Sequence, residues 1–446
     1  MIRHALPQVK TSDDADQPLG RMLTLVAWTG MAIALFGSAW FVDPGADASF
    51  DAAKRVAIMI GGTIVATALV LGWRLVPSLP AAKWPRRLLM TGALLAAACF
   101  ASSLAHPFDA PFWRIAAAFL ALGLFVATLP VGGVAVPRLW RWSAVAVFVN
   151  ALISVFQHAG LTLPWSVLRT GGRFDSGALL GNEGSVAMAA CLAGSACLAW
   201  ALVNTSRPKR GWAAIGLLIC LATIFLNRQV TSAAAMMVAA VLMITIHARL
   251  RGTILVGLFV LGALASLGLY GWARDRASVD TTLTTQSETR VERLERLTTY
   301  RLGAHAAALE MLITEPLTGH GPGSYARLSQ EYRLRAELRW HTRFNLPPNA
   351  NAHVLAHQDT LQFAAEFGAP AALLAIVFVL TLMVRMARLA RDNTDPETLA
   401  LLGVLVAGTT LSLAWFPLHV PLTACLLIFA AARSLRLLIT PGDKQA

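Results

Sequence analysis

Charged residues are scarce in this chain. Asp, Glu, Lys and Arg make up 14% of its 446 residues, against about 25% in a typical soluble domain, and that shortage excludes an ordinary cytosolic enzyme. Acidic residues are the scarcer sign, 24 against 37 Lys and Arg. There are only five cysteines (Cys99, Cys191, Cys197, Cys220 and Cys425), all inside apolar runs, so no disulfide framework is expected. The first twenty residues are polar and mixed in charge and lack a cleavable-signal pattern, so the first apolar run reads as a retained span. Segments that alternate apolar and polar over about ten residues are missing as well, which excludes a membrane β-barrel. A mean hydropathy of +0.60 excludes intrinsic disorder.

What the chain has in quantity is apolar sequence, 56% of all residues, arranged in long runs. Roughly twenty consecutive apolar residues span a bilayer. About twelve such runs occur, near 22–42, 56–73, 88–104, 115–136, 143–163, 185–205, 213–227, 231–247, 252–272, 360–384, 398–416 and 421–437. The expectation is an all-α polytopic membrane protein with about 12 transmembrane helices. Its parts would be a cytoplasmic tail (1–21), nine spans (22–273), a long loop (274–357), three spans (358–437) and a second tail (438–446).

The basic residues set the orientation. With the N-terminus inside, inner segments hold twenty of the 37, whereas the short outer loops hold only Lys54, Arg55, Arg114, Arg169, Arg173 and Arg228. Short-loop Lys and Arg favour the cytoplasmic side. The net charge of +13 therefore reads as a topology signal, and nucleic-acid binding gains no support from it. Both tails fall inside and the long loop outside. Residues 287–313 of that loop read as a helix with a capping box at Thr285 and Glu288. Pro316 and the run GHGPGS (319–324) stop it, 324–338 reads as a second helix, and 342–352 as extended chain. The glycine run is a tight turn rather than a phosphate loop, because it lacks GK[ST] and follows no strand. Tyr300, Tyr325 and Tyr332 lie in this loop and suit sugar platforms or a membrane-interface belt equally.

Ionisable groups at membrane depth are candidates for function. Arg228 follows a run of only fifteen residues, Ala213 to Asn227. At about 1.5 Å per residue that run is shorter than a hydrocarbon core of about 30 Å, so Arg228 is expected below the outer surface. Arg301 falls, by helical phase, on the same arc as Leu294, Leu297, Leu302, Ala308, Leu309 and Leu312, with His305 beside it. A charge on a buried face needs a partner or an anionic ligand. Arg173 sits in the outer loop 171–185, where a solvated arginine is the plain alternative. His353 and His357 have i,i+4 spacing, but HVLAH lacks the glutamate of HExxH and no third ligand is well spaced, so no metal is expected. A helix N-terminus just after His357 favours the neutral ring and hence a base; the plain alternative is a capping histidine. Arg173, Arg228, Arg301 and His357 all fall on the outer side. Guanidinium forks suit a diphosphate, and an imidazole suits the proton of an attacking hydroxyl.

Four segments in order carry a resemblance: GRFDSGALLGNEGSVAMA (172–189), LNRQVTSAAAM (226–236), YRLGAHAAALEMLITEPLTGHGPGSYA (300–326) and AHQDTLQFAAEFGAPAALL (356–374). Over about residues 170–385 the chain resembles the bacterial O-antigen ligase and O-antigen polymerase superfamily, which also includes the protein O-oligosaccharyltransferases. Asn227 stands where the family usually has serine, and Gln358 where it has asparagine. The resemblance implies an inverting, metal-independent glycosyl transfer at the periplasmic face of the bacterial inner membrane, with no cofactor. The implied donor is a glycan on undecaprenyl diphosphate, and the implied acceptor is lipid A-core or a growing glycan. His357 matches the family's essential histidine, the implied base. Arg228 and Arg301 match its diphosphate-holding arginines, and Arg173 matches a basic position of substrate binding. Tyr325 and Gln358 complete the expected substrate contacts.

Ligase, polymerase and protein-glycosylating transferase differ in acceptor alone. No domain follows the twelfth span, which disfavours the last of these. A twelve-helix transporter is the alternative from another class. Such folds usually pair two six-span halves, whereas here the middle loop (206–212) is tiny and the long loop comes after span nine.

Overall fold

The computed structural model describes residues 16–43, 50–71, 83–106, 135–161, 176–204, 206–248, 301–344, 354–393 and 395–439. Among them all the regular structure is helical. It runs α1 (Asp16–Trp40), α2 (Ala52–Leu71), α3 (Lys83–Ala105), α4 (Ala135–His158), a 3₁₀ turn (Ala178–Leu180), α5 (Glu183–Val203), α6 (Arg207–Leu226) and α7 (Val230–His247). It continues with α8 (Leu302–Thr314), α9 (Tyr325–Trp340), α10 (Asp359–Asp392), α11 (Pro396–Ser412) and α12 (Pro421–Ile439). Seven of these are long and apolar enough to cross a membrane: α1, α3, α5, α6, α7, α10 and α12. Helices α4 and α11 add shorter apolar stretches, Trp142–His158 and Pro396–Ser412. The expected span 252–272 and most of 115–136 lie outside the described residues. This is a multi-pass membrane protein.

The sequence sets the helix limits locally. The Asn182 side chain accepts from Gly184 N–H at 2.8 Å and caps α5. Asp395 caps α11 the same way through Thr398 N–H at 3.0 Å, with Pro396 at the first helical position. Helix α5 forms the centre and is buried over most of its length from Gly184 to Ala196; α11 lies against it, buried from Thr398 to Gly408. Around this pair the outward apolar residues face away from protein. Phe225 and Leu218 on α6 and Leu373 and Leu380 on α10 are exposed, as lipid-facing side chains are.

Two expectations change. Helix α6 starts at Arg207 rather than 213 and has 20 residues, about 30 Å at 1.5 Å per residue. That is long enough to cross, so Arg228 is not drawn inward by a short helix; it is exposed in the turn that follows. The tenth span is not one straight helix. It breaks at Gly368, with φ 84° and ψ 166°, two residues before Pro370.

That break receives the loop. Helices α8 and α9 share a small core of Ala307, Ala308, Met311, Tyr325 and Tyr332, which continues into Ala356 and Ala365 at the start of α10. The turn between α8 and α9 lies backbone against backbone on the break. Ala369 N–H donates to Pro316 O at 2.7 Å, His320 N–H to Ala365 O at 3.1 Å, and Gly321 N–H to Glu366 O at 2.8 Å. The Glu366 carboxylate accepts Gly323 N–H at 2.8 Å, and Ser102 of α3 donates to Glu366 O at 3.1 Å. The approach leaves no room for a side chain at Gly319, whose φ is +65°: a Cβ there would sit 2.5 Å from Glu366 C and O. The glycine run is thus a docking surface as well as a turn.

Two outcomes follow. Gly319→Ala adds a backbone collision to the strain of left-handed backbone, whereas Gly160→Ala, with φ +89° and nothing within 4 Å, adds strain alone, about 1–2 kcal/mol. Thermal unfolding of the purified protein should therefore fall further for Gly319→Ala; equal midpoints would refute the docking. From the charge asymmetry, α9 is expected outside and the start of α6 inside. A cysteine replacing exposed Leu338 should react in intact cells with a membrane-impermeant maleimide, and one replacing exposed Lys209 should react only after permeabilisation.

Candidate active site

The polar groups of the bundle gather where α4 and α6 end and α5, α7, α10 and α12 begin. Asn227, buried just after α6, is held from three sides. Its Oδ1 lies 2.9 Å from His158 Nε2 and accepts from Ser176 Oγ at 3.1 Å, while its Nδ2 donates to Ser154 Oγ at 3.0 Å. Ser176 also donates to Glu183 Oε1 at 2.8 Å. This network fixes the turn in which Arg228 follows, with the left-handed φ of 51° that few non-glycine residues adopt. The neighbour of Glu183, Gly184, has Trp415 Cζ2 3.0 Å from where its Cβ would stand.

Trp415 is the hinge point of the site. It lies in the short connection between α11 and α12 and stacks on Phe416 with centroids 5.3 Å apart. The Arg301 guanidinium covers its ring, with Cζ 3.9 Å from the centroid, a cation–π contact. Arg301 Nη1 also reaches Ala414 O at 3.5 Å. The His357 ring meets the same pair edge-on, 4.9 Å from Phe416 and 6.0 Å from Trp415. Arg301 and His357 therefore stand on one aromatic shelf, although 56 positions separate them in the chain. Through Gly184, Glu183, Ser176 and Asn227 the same shelf connects to the Arg228 turn.

The structure revises the local reading of Arg301. The described helix begins after it, so Arg301 is the cap residue of α8 rather than an interior one; residues 287–300 lie outside the described residues. The buried face of α8 is also not the leucine arc. Ala304, Ala307, Ala308, Glu310 and Met311 are buried and Leu309 is exposed. Small side chains let α8 approach α10 closely, and Glu310 tolerates burial because Arg339 pairs with it at 3.0 Å. His305, one turn into α8, has its pKa lowered by burial and by the Arg301 charge.

Tyr325 lies inside the packing of α8 against α9. It is fully buried and its hydroxyl donates to Ala304 O at 2.9 Å. Tyr332 is likewise buried. Gln358 holds the residue position just before α10, next to His357, and its side chain makes no capping hydrogen bond. His357 has φ 57°, another left-handed non-glycine residue. Arg173 and His353 lie outside the described residues. Among the described residues, no three His, Cys, Asp or Glu side chains are grouped to hold a metal.

Sequence reasoning missed a hydrogen-bonded chain next to His357, buried at Asp359, Gln362 and Glu366 and half-buried at His419. Asp359 Oδ1 accepts from His419 Nδ1 at 2.7 Å and Asp359 Oδ2 from Leu418 N–H at 2.8 Å. Gln362 Nε2 lies 3.0 Å from both His419 Nε2 and Glu366 Oε1. Gln362 Oε1 accepts Ala356 N–H at 3.0 Å. Burial works against a charge on His419, but the Asp359 hydrogen bond and the charges of Asp359 and Glu366 outweigh it, and its pKa is raised. The one signal in the sequence was WFPLH (415–419), an aromatic pair and a histidine between two apolar spans.

A comparison with curated proteins finds no match. Residues 215–376, which contain Arg228, the described loop helices, His357 and the break in α10, match a family model described as O-antigen ligase. Over that stretch the chain is similar to the O-antigen ligase family.

Proposed function

We propose that the protein transfers a glycan from undecaprenyl diphosphate to an acceptor hydroxyl at the periplasmic face of the inner membrane, as an O-antigen ligase or an O-antigen or exopolysaccharide polymerase. The observation that carries this reading is the shared aromatic shelf: Arg301 packs on Trp415, and His357, just before α10, meets both Trp415 and its stacked neighbour Phe416. One supplies what a diphosphate needs and the other what a hydroxyl needs.

In this reading Arg301 and Arg228 hold the donor diphosphate, each guanidinium offering paired N–H donors to its oxygens. The acceptor oxygen attacks the anomeric carbon from the face opposite the diphosphate. A carbon–oxygen bond to the acceptor forms as the bond to the phosphate oxygen breaks, so the configuration inverts. The hydroxyl proton passes to His357, and the electron pair of the broken bond leaves on undecaprenyl diphosphate. The negative charge growing on that group is met by the arginines, which stabilise it more than they stabilise the ground state. No metal is required by this scheme. In the same reading Gln358, next to His357 in the chain, contacts the substrate, as does Arg173.

The test uses the purified protein in lipid nanodiscs, given the lipid extract of a strain lacking its gene, where the donor accumulates, together with acceptor from the same cells. His357→Ala should remove transfer, since general-base catalysis contributes about 10²–10⁴-fold. Arg228→Lys and Arg301→Lys should each reduce it severely, because a point charge cannot reproduce paired phosphate contacts. The rate should fall on acidification as the base protonates, and should survive EDTA. Normal transfer by His357→Ala, or zinc-restored loss in EDTA, would overturn the scheme. In cells, single repeats still transferred after gene deletion would mark a polymerase, and intact chains stranded on the carrier a ligase.

A further inference from the structure

The left-handed φ of 57° at His357 demands an explanation. A non-glycine residue persists there only when its surroundings over-determine it. The rings of Phe416 and Trp415 contact its side chain, but what holds its backbone lies one residue back, where buried Ala356 gives its N–H to Gln362 Oε1 at 3.0 Å. That bond fixes which way round the Gln362 amide stands. Its NH₂ then faces Glu366 Oε1 and His419 Nε2, each at 3.0 Å. Both amide hydrogens and the carbonyl are engaged, and Gln362 is itself buried.

An NH₂ facing His419 Nε2 requires a lone pair on that nitrogen. His419 is therefore neutral in this arrangement, with its hydrogen on Nδ1, donated to Asp359 Oδ1 at 2.7 Å. We propose that Gln362 is a positioning residue for His357, and that the neutral His419–Asp359 pair keys its amide into the orientation that pins Ala356. This rests on His357 being the base of the proposed transfer and adds what holds that base in place.

The arrangement has two states. If His419 gains a proton, Nε2–H and the Gln362 NH₂ face each other as two donors. Turning the amide over satisfies His419, but it sets NH₂ against Ala356 N–H and the carbonyl oxygen against Glu366. Protonation thus removes the acceptor that pins the His357 backbone. The groups acting on His419 are Asp359 and Glu366 of α10, which favour the proton, and Arg55 of α2, which opposes it. Because the net shift is upward, protonation comes at a higher pH than for an ordinary imidazole at about 6.5. Activity should therefore be lost on acidification by two protons, one on His419 and one on His357.

The test measures kcat and KM in the nanodisc assay with the same lipid extract, from pH 5 to 8. Gln362→Leu should lower kcat by about 10²-fold with KM little changed. The acid limb should fall more steeply than one proton allows in the unsubstituted protein, and with one proton in His419→Asn. Gln362→Glu keeps an acceptor for Ala356 N–H but offers His419 no donor, so its acid limb should also fall with one proton. A Gln362→Leu protein with normal kcat, or an unsubstituted protein and His419→Asn with the same slope, would overturn the proposal. If Gln362→Leu fails to fold, the slopes of the other two variants decide alone. His357→Ala separates the two readings. Activity there refutes the base itself, whereas its inactivity beside a normal Gln362→Leu refutes only the positioning.

Discussion

A loop outside a membrane bundle can bring chemistry to that bundle only if something fixes where it sits, and here the fixing contact is peptide against peptide. The turn from Pro316 to Gly323 lies on the broken section of α10 from Ala365 to Ala369, held by hydrogen bonds of 2.7 to 3.1 Å. The break is needed for this. An intact helix would keep its carbonyls within its own ladder, whereas the backbone at Gly368 leaves the helical path and frees neighbouring groups to pair outward. Glu366 then works from both ends, its carbonyl accepting Gly321 N–H and its carboxylate accepting Gly323 N–H and the Gln362 amide. Loop position, helix break and the chain behind His357 meet at that one residue.

From there the site is assembled by short steps. Docking of α8 carries Arg301 to Trp415, and the same stretch of α10 carries His357 to the facing edge of Phe416. The Arg301 guanidinium is held against the Trp415 ring by a cation–π contact. The bundle treats the arginine at its opposite end differently. Buried Arg433 donates to both oxygens of Glu397, at 2.8 and 3.2 Å, across α12 and α11. Arg433 is tied to Glu397 by an ion pair, and Arg301 lies on an aromatic face beside a histidine.

How much of this was legible depended on range. The described helices were, because long apolar runs have few alternatives in a bilayer, and so were α9, the part of the first loop helix from Leu302 onward, and the turn between them. Arg228, Arg301 and His357 could be singled out because a cation or imidazole among apolar neighbours is conspicuous. The helical-phase argument for Arg301 failed for a local reason: a buried face can be built from alanines and a paired Glu310, so the leucines of α8 do not mark its inside. The burial of Tyr325 was not legible either, because a hydroxyl can be satisfied by a nearby carbonyl. The chain through Asp359, Gln362 and His419 could not be read, since its partners lie 57 to 60 positions apart and nothing in either segment announces the other.

The central claim is that an arginine from the loop and an arginine from the bundle act on one diphosphate. The most direct measurement is a double-mutant cycle on transfer from lipid-linked glycan, comparing Arg301→Lys, Arg228→Lys and the double variant. Residues that share a partner couple, by about 0.5–3 kcal/mol, whereas distant independent sites add. The account predicts that the double variant departs from the product of the two single losses by at least a few-fold. Losses that simply multiply, or one arginine that can be replaced without loss, would contradict it.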